Sequence, residues 1–421
     1  MSSLLQKSPI GGAISVFVFC VCFLVTNPSI LAAQAGPSPD PAPLVIILMR
    51  LERGDVAGAE RLMRDNLPVT KSRLEAVLPE IDRKFDEAGR FGATAGHDIH
   101  TEVMNNLLDE IRRNLKLFEV YSRLSGDEML YKRLEARRLR VEGAYYTHDG
   151  EDACGDNLDW EEAQKLYRLA LERLEAGFAL AKETNDLRVM ASAKNNMGST
   201  LIRLLEPDKA IQEYREARRY SDQVTGEMYK GMVDLNMGNT FVWVGDPQQS
   251  LAYSQAALAS FQKMGRVTWQ ANAVMNIGNA QTQKKEYASA WETTRMALDL
   301  AKQSGEDRVR GRALLNLGAI ALQLKKPEAA DYIQQAMEWY KGTEGEVYTP
   351  LEREVVAQEG LRLLSQIAKQ KGDVETAERY NQQFMESVAA DPDRYGALRA
   401  SPCYALYKAR PMKAQQASAS Q

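Results

Sequence analysis

The sequence predicts an all-α chain, a solenoid of antiparallel helix pairs, on three observations. Asn196-Met197-Gly198, Asn236-Met237-Gly238, Asn276-Ile277-Gly278 and Asn316-Leu317-Gly318 recur with their glycines 40 residues apart, as in 238 − 198. A fixed period in this range marks a repeat array, whose units bury their apolar faces only by stacking on one another. Small residues follow the glycines at set offsets: Ala210 and Ala217 behind Gly198, Ala257 behind Gly238, Ala290 and Ala297 behind Gly278. No alternating strand pattern of useful length occurs, so helix content should lie far above the usual third.

Residues 1–35 read as a signal peptide. Lys7 is the only charged side chain before Asp40, and the apolar run Ala13 to Val25 is too short for a comfortable membrane span. Ala33-Gln34-Ala35 offers a small-residue cleavage site before Gly36. An uncleaved anchor is the rival reading, because the positive segment is thin. Residues 36–43 carry four prolines and form a linker that is not helix. Residues 44–127 form an N-terminal helical region. A hairpin turns at Gly54-Asp55, and longer helices follow near 71–90 and 99–125, with a loop at 92–96.

The array covers residues 128–390, about six repeats. Its first unit pairs Gly143 with Ala163, Tyr167 and Ala170, so eight residues are inserted around His148–Asn157. That insertion is acidic and glycine-rich and reads as a flexible loop between two helices. It does not fit a calcium loop, because position 12 counted from Asp149 is Trp160. The fifth unit loses one residue at Lys325-Lys326-Pro327. The sixth turns at Gly372-Asp373, echoing Gly54-Asp55. Residues 391–421 are a low-complexity tail, expected to be largely disordered. Cys154 in the first unit and Cys403 beyond the last lie too far apart along a straight stack for a bridge, so free thiols or an intermolecular bond are expected.

The small residues have a steric cause. Helices about 8–10 Å apart cannot both carry large side chains where they cross. Gly198, Ala210, Tyr214 and Ala217 match the small–large–small signature that resembles the tetratricopeptide repeat family, in its variant with 40-residue units. Later units match less completely, with Ser250 and Ser254 at the Ala and aromatic positions. The resemblance implies a right-handed superhelix whose first helices line a concave, peptide-binding groove.

A column of asparagines is the candidate site. Asn196, Asn236, Asn276 and Asn316 each lie two residues before a repeat glycine, and Asn239 and Asn279 lie one after. Residues three apart share a helix face. Asn is a poor interior helix residue, yet its amide both donates and accepts, which suits the backbone of an extended peptide. The family resemblance points the same way. Equally open is a structural role, in which these amides bond between helices. Arg203, Trp243 and Arg312 complete the candidate set, Trp243 as a groove anchor or as a side chain packed on the next unit, and the arginines as partners for a carboxylate.

No nucleophile elbow, phosphate loop, metalloprotease motif or dinucleotide turn occurs, and the chain has three histidines, so no enzyme, no cofactor and no metal is expected. His97 and His100 lack further zinc ligands, and Asp98 reads as a helix cap. A net charge of −4 without a basic block gives no footprint for nucleic acid. The expectation is an exported scaffold, periplasmic or secreted, that binds a protein or peptide segment, with no membrane insertion after cleavage. The alternatives are an anchored form and a structural subunit of a cell-envelope assembly. Self-association through the end repeats stays open.

Overall fold

The chain was analysed as a computed structural model describing residues 42–94, 97–224, 226–343, 347–392, 396 and 399–407. The signal segment, most of the linker and residues 408–421 lie outside the described residues. The described chain is helical: α1 (Ala42–Glu52), α2 (Val56–Arg64), α3 (Leu67–Thr94), α4 (His97–Ser125), α5 (Met129–Asn157), α6 (Trp160–Glu183), α7 (Leu187–Arg203), α8 (Pro207–Ser221), α9 (Met228–Val244), α10 (Pro247–Lys263), α11 (Val267–Gln283), α12 (Tyr287–Ser304), α13 (Asp307–Gln323), α14 (Ala329–Gly342), α15 (Pro350–Gln370), α16 (Val374–Ala390) and α17 (Pro402–Tyr407). Two units emerge, one of residues 1–77 with 112–131, the other of 78–111 with 132–421. Residues 78–111 group with the array.

In the first unit, Gly54 takes a positive φ of 79° and Asp55 caps α2 by accepting from the Gly58 N–H at 3.0 Å. Ile47, Ala59, Met63, Leu74 and Phe118 are fully buried there. Gly372 and Asp373 repeat the same turn before α16, with φ 76° and a 3.0 Å cap to Thr376, so the echo seen in the sequence is one of geometry. Helix α1 starts at Ala42, two residues into the expected linker, because proline is tolerated in a first turn, where the N–H has no helical partner. Helix α4 starts at His97, so Asp98 lies inside its first turn and not at its cap.

The second unit is an α-solenoid of helix pairs. Helices α5, α7, α9, α11, α13 and α15 are first helices, each followed by its antiparallel second helix. From α7 to α15 neighbouring first helices touch one another, and among the described residues the second helices make no comparable contact. The first helices thus form one layer and the second helices another. Each pair meets where the sequence placed its small residues. A Cβ on Gly198 would lie 2.6 Å from Tyr214 Cε1, and one on Gly278 would lie 2.6 Å from Thr294 Oγ1. Ion pairs staple the layers: Lys194 to Glu213 and Glu216 at 2.7 Å each, and Arg218 to Asp234 at 2.7 Å.

The turns have a common design. One residue enters the left-handed region, and the next donates its N–H to the carbonyl five residues back, closing the helix end. Asp186 donates to Ala181 at 2.8 Å, Glu206 to Leu201 at 2.9 Å and Asp246 to Phe241 at 2.9 Å. In these three turns the same residue then stands at the N-cap of the following helix, so the turn needs only two or three residues.

Four expectations are corrected. Residues 148–157 are not a loop: α5 runs through them without a break. Tyr167 packs on Gly150, as Tyr214 packs on Gly198, so Gly150 and not Gly143 is the repeat glycine of the first unit. The additional residues lengthen α5 instead of its turn. Cys154 and Cys403 form a disulfide, with Cα atoms 5.2 Å apart across a sequence separation of 249. The cysteines meet because α15 packs against the first helix pair of the array: Cys154, Ala163, Tyr167, Leu351 and Cys403 share one buried cluster. Part of the tail is accordingly ordered, as α17.

Candidate binding face on the first helices

Counted from the repeat glycine, positions −6, −2, +1 and +5 are spaced four, three and four apart and share one helix face. The face carries Ser192, Asn196, Ser199 and Arg203 on α7, then Met232, Asn236, Asn239 and Trp243 on α9. It continues with Asn272, Asn276, Asn279 and Gln283 on α11, and Arg312, Asn316, Ala319 and Gln323 on α13. Asn239, Gln283, Arg312 and Gln323 are exposed. The opposite side of each helix holds the glycine and faces the second helix.

Several polar side chains of this face bond to the preceding repeat. Asn236 donates to the Asn195 side-chain oxygen at 3.0 Å. Asn276, only 6% exposed, donates to the Leu235 carbonyl at 3.4 Å. Asn316 donates to Asn279 Oδ1 at 2.6 Å, and Gln283 donates to the Val242 carbonyl at 2.7 Å. Arg312 reaches Asn272 Oδ1 at 3.4 Å. The column is thus a ladder between successive first helices, which gives these amides a structural role whatever else they do. Asn239 stands apart: it is exposed and outside that ladder. Asn196 is half-buried, and its Nδ2 has no hydrogen-bond partner. Trp243 is half-buried and packs on the cluster of Leu201, Met237 and Phe241, so its ring is partly committed to the core.

With Gly150 as the repeat glycine, the face extends onto α5 as His148, Glu151 and Gly155. Its character changes there. Arg203 donates to Glu151 at 2.5 Å, and His148 Nδ1 lies 3.7 Å from the same carboxylate. Burial alone would raise the Glu151 carboxyl, but Arg203 and His148 outweigh it and hold it well below the usual carboxylate range. Arg203 is therefore paired at this end of the face. The sequence missed these positions because the first unit was set in register on Gly143. A second small column was legible and overlooked: Ala191, Gly231, Ala271 and Gly311 also stand 40 residues apart (231 − 191 = 40), each seven before a repeat glycine. Gly143 stands seven before Gly150, which would have corrected the register. These positions pack on second helices too: a Cβ on Gly231 would lie 2.9 Å from Phe261 Cε1.

Among the described residues no group of three or more His, Cys, Asp or Glu side chains is placed to hold a metal ion, and no helix is long and apolar enough to cross a membrane.

No family model matches the sequence, and no curated protein matches it. Among solved structures, a Rap protein complexed with Competence and Sporulation Factor is 14% identical, with a TM-score of 0.48 over 75% of this chain and 78% of its own. Aspartyl phosphate phosphatase F from Bacillus subtilis is 14% identical, with a TM-score of 0.45 over 84% of this chain and 96% of its own. A signal transduction ATPase with a tetratricopeptide repeat sensor, from Pyrococcus horikoshii, is 15% identical, with a TM-score of 0.45 over 71% of this chain and 42% of its own. Identities and overlaps this low carry no inference about what this chain binds.

Proposed function

We propose that the chain is an exported, non-enzymatic scaffold of the tetratricopeptide type that holds an extended segment of a protein partner along its first-helix face. One observation carries the reading. The face is continuous over four first helices, dominated by amides and largely uncharged, and Asn239, Gln283, Arg312 and Gln323 are exposed along it. Amides at regular spacing suit a polypeptide backbone, which offers a donor and an acceptor at each residue and needs no cofactor. Export is supported by the signal-like N-terminal sequence, and the buried Cys154–Cys403 bond suits an oxidising compartment.

A second reading is favoured by the ladder itself. If the amides serve only to lock repeat to repeat, the partner surface lies on the second helices, as in a structural subunit of an envelope assembly. Crosslinking pull-downs with the mature protein separate the two. The variant Asn239→Ala/Arg312→Ala alters the exposed groups, removing at most the long Arg312–Asn272 contact between repeats. Loss of one captured partner, with circular dichroism unchanged, is expected from the groove reading. Capture of the same set as wild type sinks it and moves attention to the second helices.

A further inference from the structure

The first-helix face is interrupted at one place, and the interruption is built. At position +5, where later repeats carry Arg203, Trp243, Gln283 and Gln323, the first unit carries Gly155. A Cβ there would lie 2.5 Å from Thr349 Cγ2. Thr349 caps α15 with a full capping box, its hydroxyl accepting from the Glu352 N–H at 3.2 Å while Glu352 accepts from the Thr349 N–H at 3.0 Å. A rigid helix start from the sixth pair therefore sits directly on the end of the first helix of the first pair. Leu351 and Val355 of α15 join Cys154 and Leu204 in one apolar cluster, and Cys403 on α17 bonds to Cys154 across it. Helices α6 to α15 already pack in unbroken succession, so this contact closes the circuit.

We propose that Gly155, the Thr349 cap and the Cys154–Cys403 bond form a clasp that locks the sixth pair onto the first and holds the first-helix layer at a fixed curvature. The bond acts as a permanent strap. Both sulfur-bearing residues are fully buried, so a thiol reagent reaches them only after α17 lifts. Through Cys403, helix Pro402–Tyr407 lies against the first helix pair instead of extending the stack. This inference concerns the shape of the face and is independent of what the face binds.

The test uses the mature full-length protein. Denaturation and alkylation without reductant should block no cysteine, and after reduction should block both. Hydrogen exchange is then compared for folded wild type, wild type held in dithiothreitol, Cys403→Ser and Gly155→Leu. The last variant wedges the Thr349 contact while keeping both cysteines. Exchange in residues 150–157 and 349–356 should rise about tenfold or more in every perturbed form, with α9 to α12 unchanged. Small-angle scattering should report a larger radius of gyration in the reduced wild type, which starts from folded protein even if a variant does not fold. Two alkylatable thiols in the unreduced protein would overturn the proposal. Exchange and scattering that do not respond once alkylation shows both thiols released, or in Cys403→Ser, would overturn it equally.

Discussion

Glu306 offers the sharpest test of the energetics. It stands in the turn between α12 and α13, directly after Gly305 with φ 70°. Its residue is 1% exposed, and Oε2 has no hydrogen-bond partner. Burial drives its carboxyl up, Arg312 and Arg308 only partly offset this, and the pKa settles at about 7 against 4.5 for the free group. The folded state therefore holds this proton where the unfolded chain has lost it. Stability from this group is complete below pH ~4.5 and is lost as pH rises through ~7. A displacement of this size corresponds to roughly 3 kcal/mol at pH 8.5. Glu306→Gln keeps the shape and removes the titration. Urea unfolding of both proteins at pH 4 and pH 8.5 isolates the effect, because all other groups cancel in the difference. The variant should match wild type at pH 4 and exceed it by up to about 3 kcal/mol at pH 8.5. A difference that does not change with pH, or that grows toward acid, would refute the argument.

Other consequences follow from the packing. Gly198→Ala forces a methyl against the buried Tyr214 ring and should destabilise by about 1–2 kcal/mol, measured by urea unfolding, despite the better helix propensity of alanine. Asp82 accepts from Arg137 at 2.8 Å and Arg140 at 3.0 Å, all three being nearly inaccessible. Asp82→Ala strands the buried Arg140 guanidinium and leaves Arg137 only Asp186, 2.7 Å away, as a carboxylate partner; it should cost about 3–5 kcal/mol, with enhanced exchange in α5 as the local readout. Leu205 holds φ 63° in the turn after α7, so Leu205→Gly should stabilise by about 0.5–1 kcal/mol in thermal unfolding. If that substitution destabilises instead, the Leu205 side chain contributes more packing than its half-buried position indicates.

Much of the fold was legible because one steric rule writes itself into the sequence repeatedly. Gly198, Gly238, Gly278 and Gly318 each meet a second-helix side chain that leaves no room for a Cβ, and a period of 40 residues follows from two helices of similar length and two tight turns. The asparagine column was also legible as a recurring pattern, but its bonding was not. Whether Asn276 faces a ligand or the Leu235 carbonyl depends on how adjacent first helices are offset, and no local pattern encodes that offset. The disulfide was hidden for a related reason. Contact between Cys154 and Cys403 depends on the curvature summed over all intervening pairs, a quantity to which each repeat contributes a little. Arg137, Arg140 and Asp82 were equally silent, since two arginines on α5 and an aspartate on α3 look like solvated residues until those helices meet.

The lengthened α5 shows where local reasoning misled and how the same physics repairs it. Gly150, Asp152, Gly155 and Asp156 make a stretch of low helix propensity, and a loop was the natural expectation. Tertiary packing overrides that preference. Gly150 receives the Tyr167 ring and Gly155 receives Thr349, so each glycine marks a close approach and not a break in the helix. Each costs about 1 kcal/mol of propensity, which the Tyr167 and Thr349 contacts and the fully buried Cys154 offset. Glycine inside a repeat helix is therefore read first as a contact with another helix, the rule that already held at Gly198. Under that rule Gly143 and Gly150 are the −7 and repeat positions of one helix, as Gly231 and Gly238 are of α9. The first repeat then needs no inserted loop, and His148 and Glu151 take their places at the head of the first-helix face.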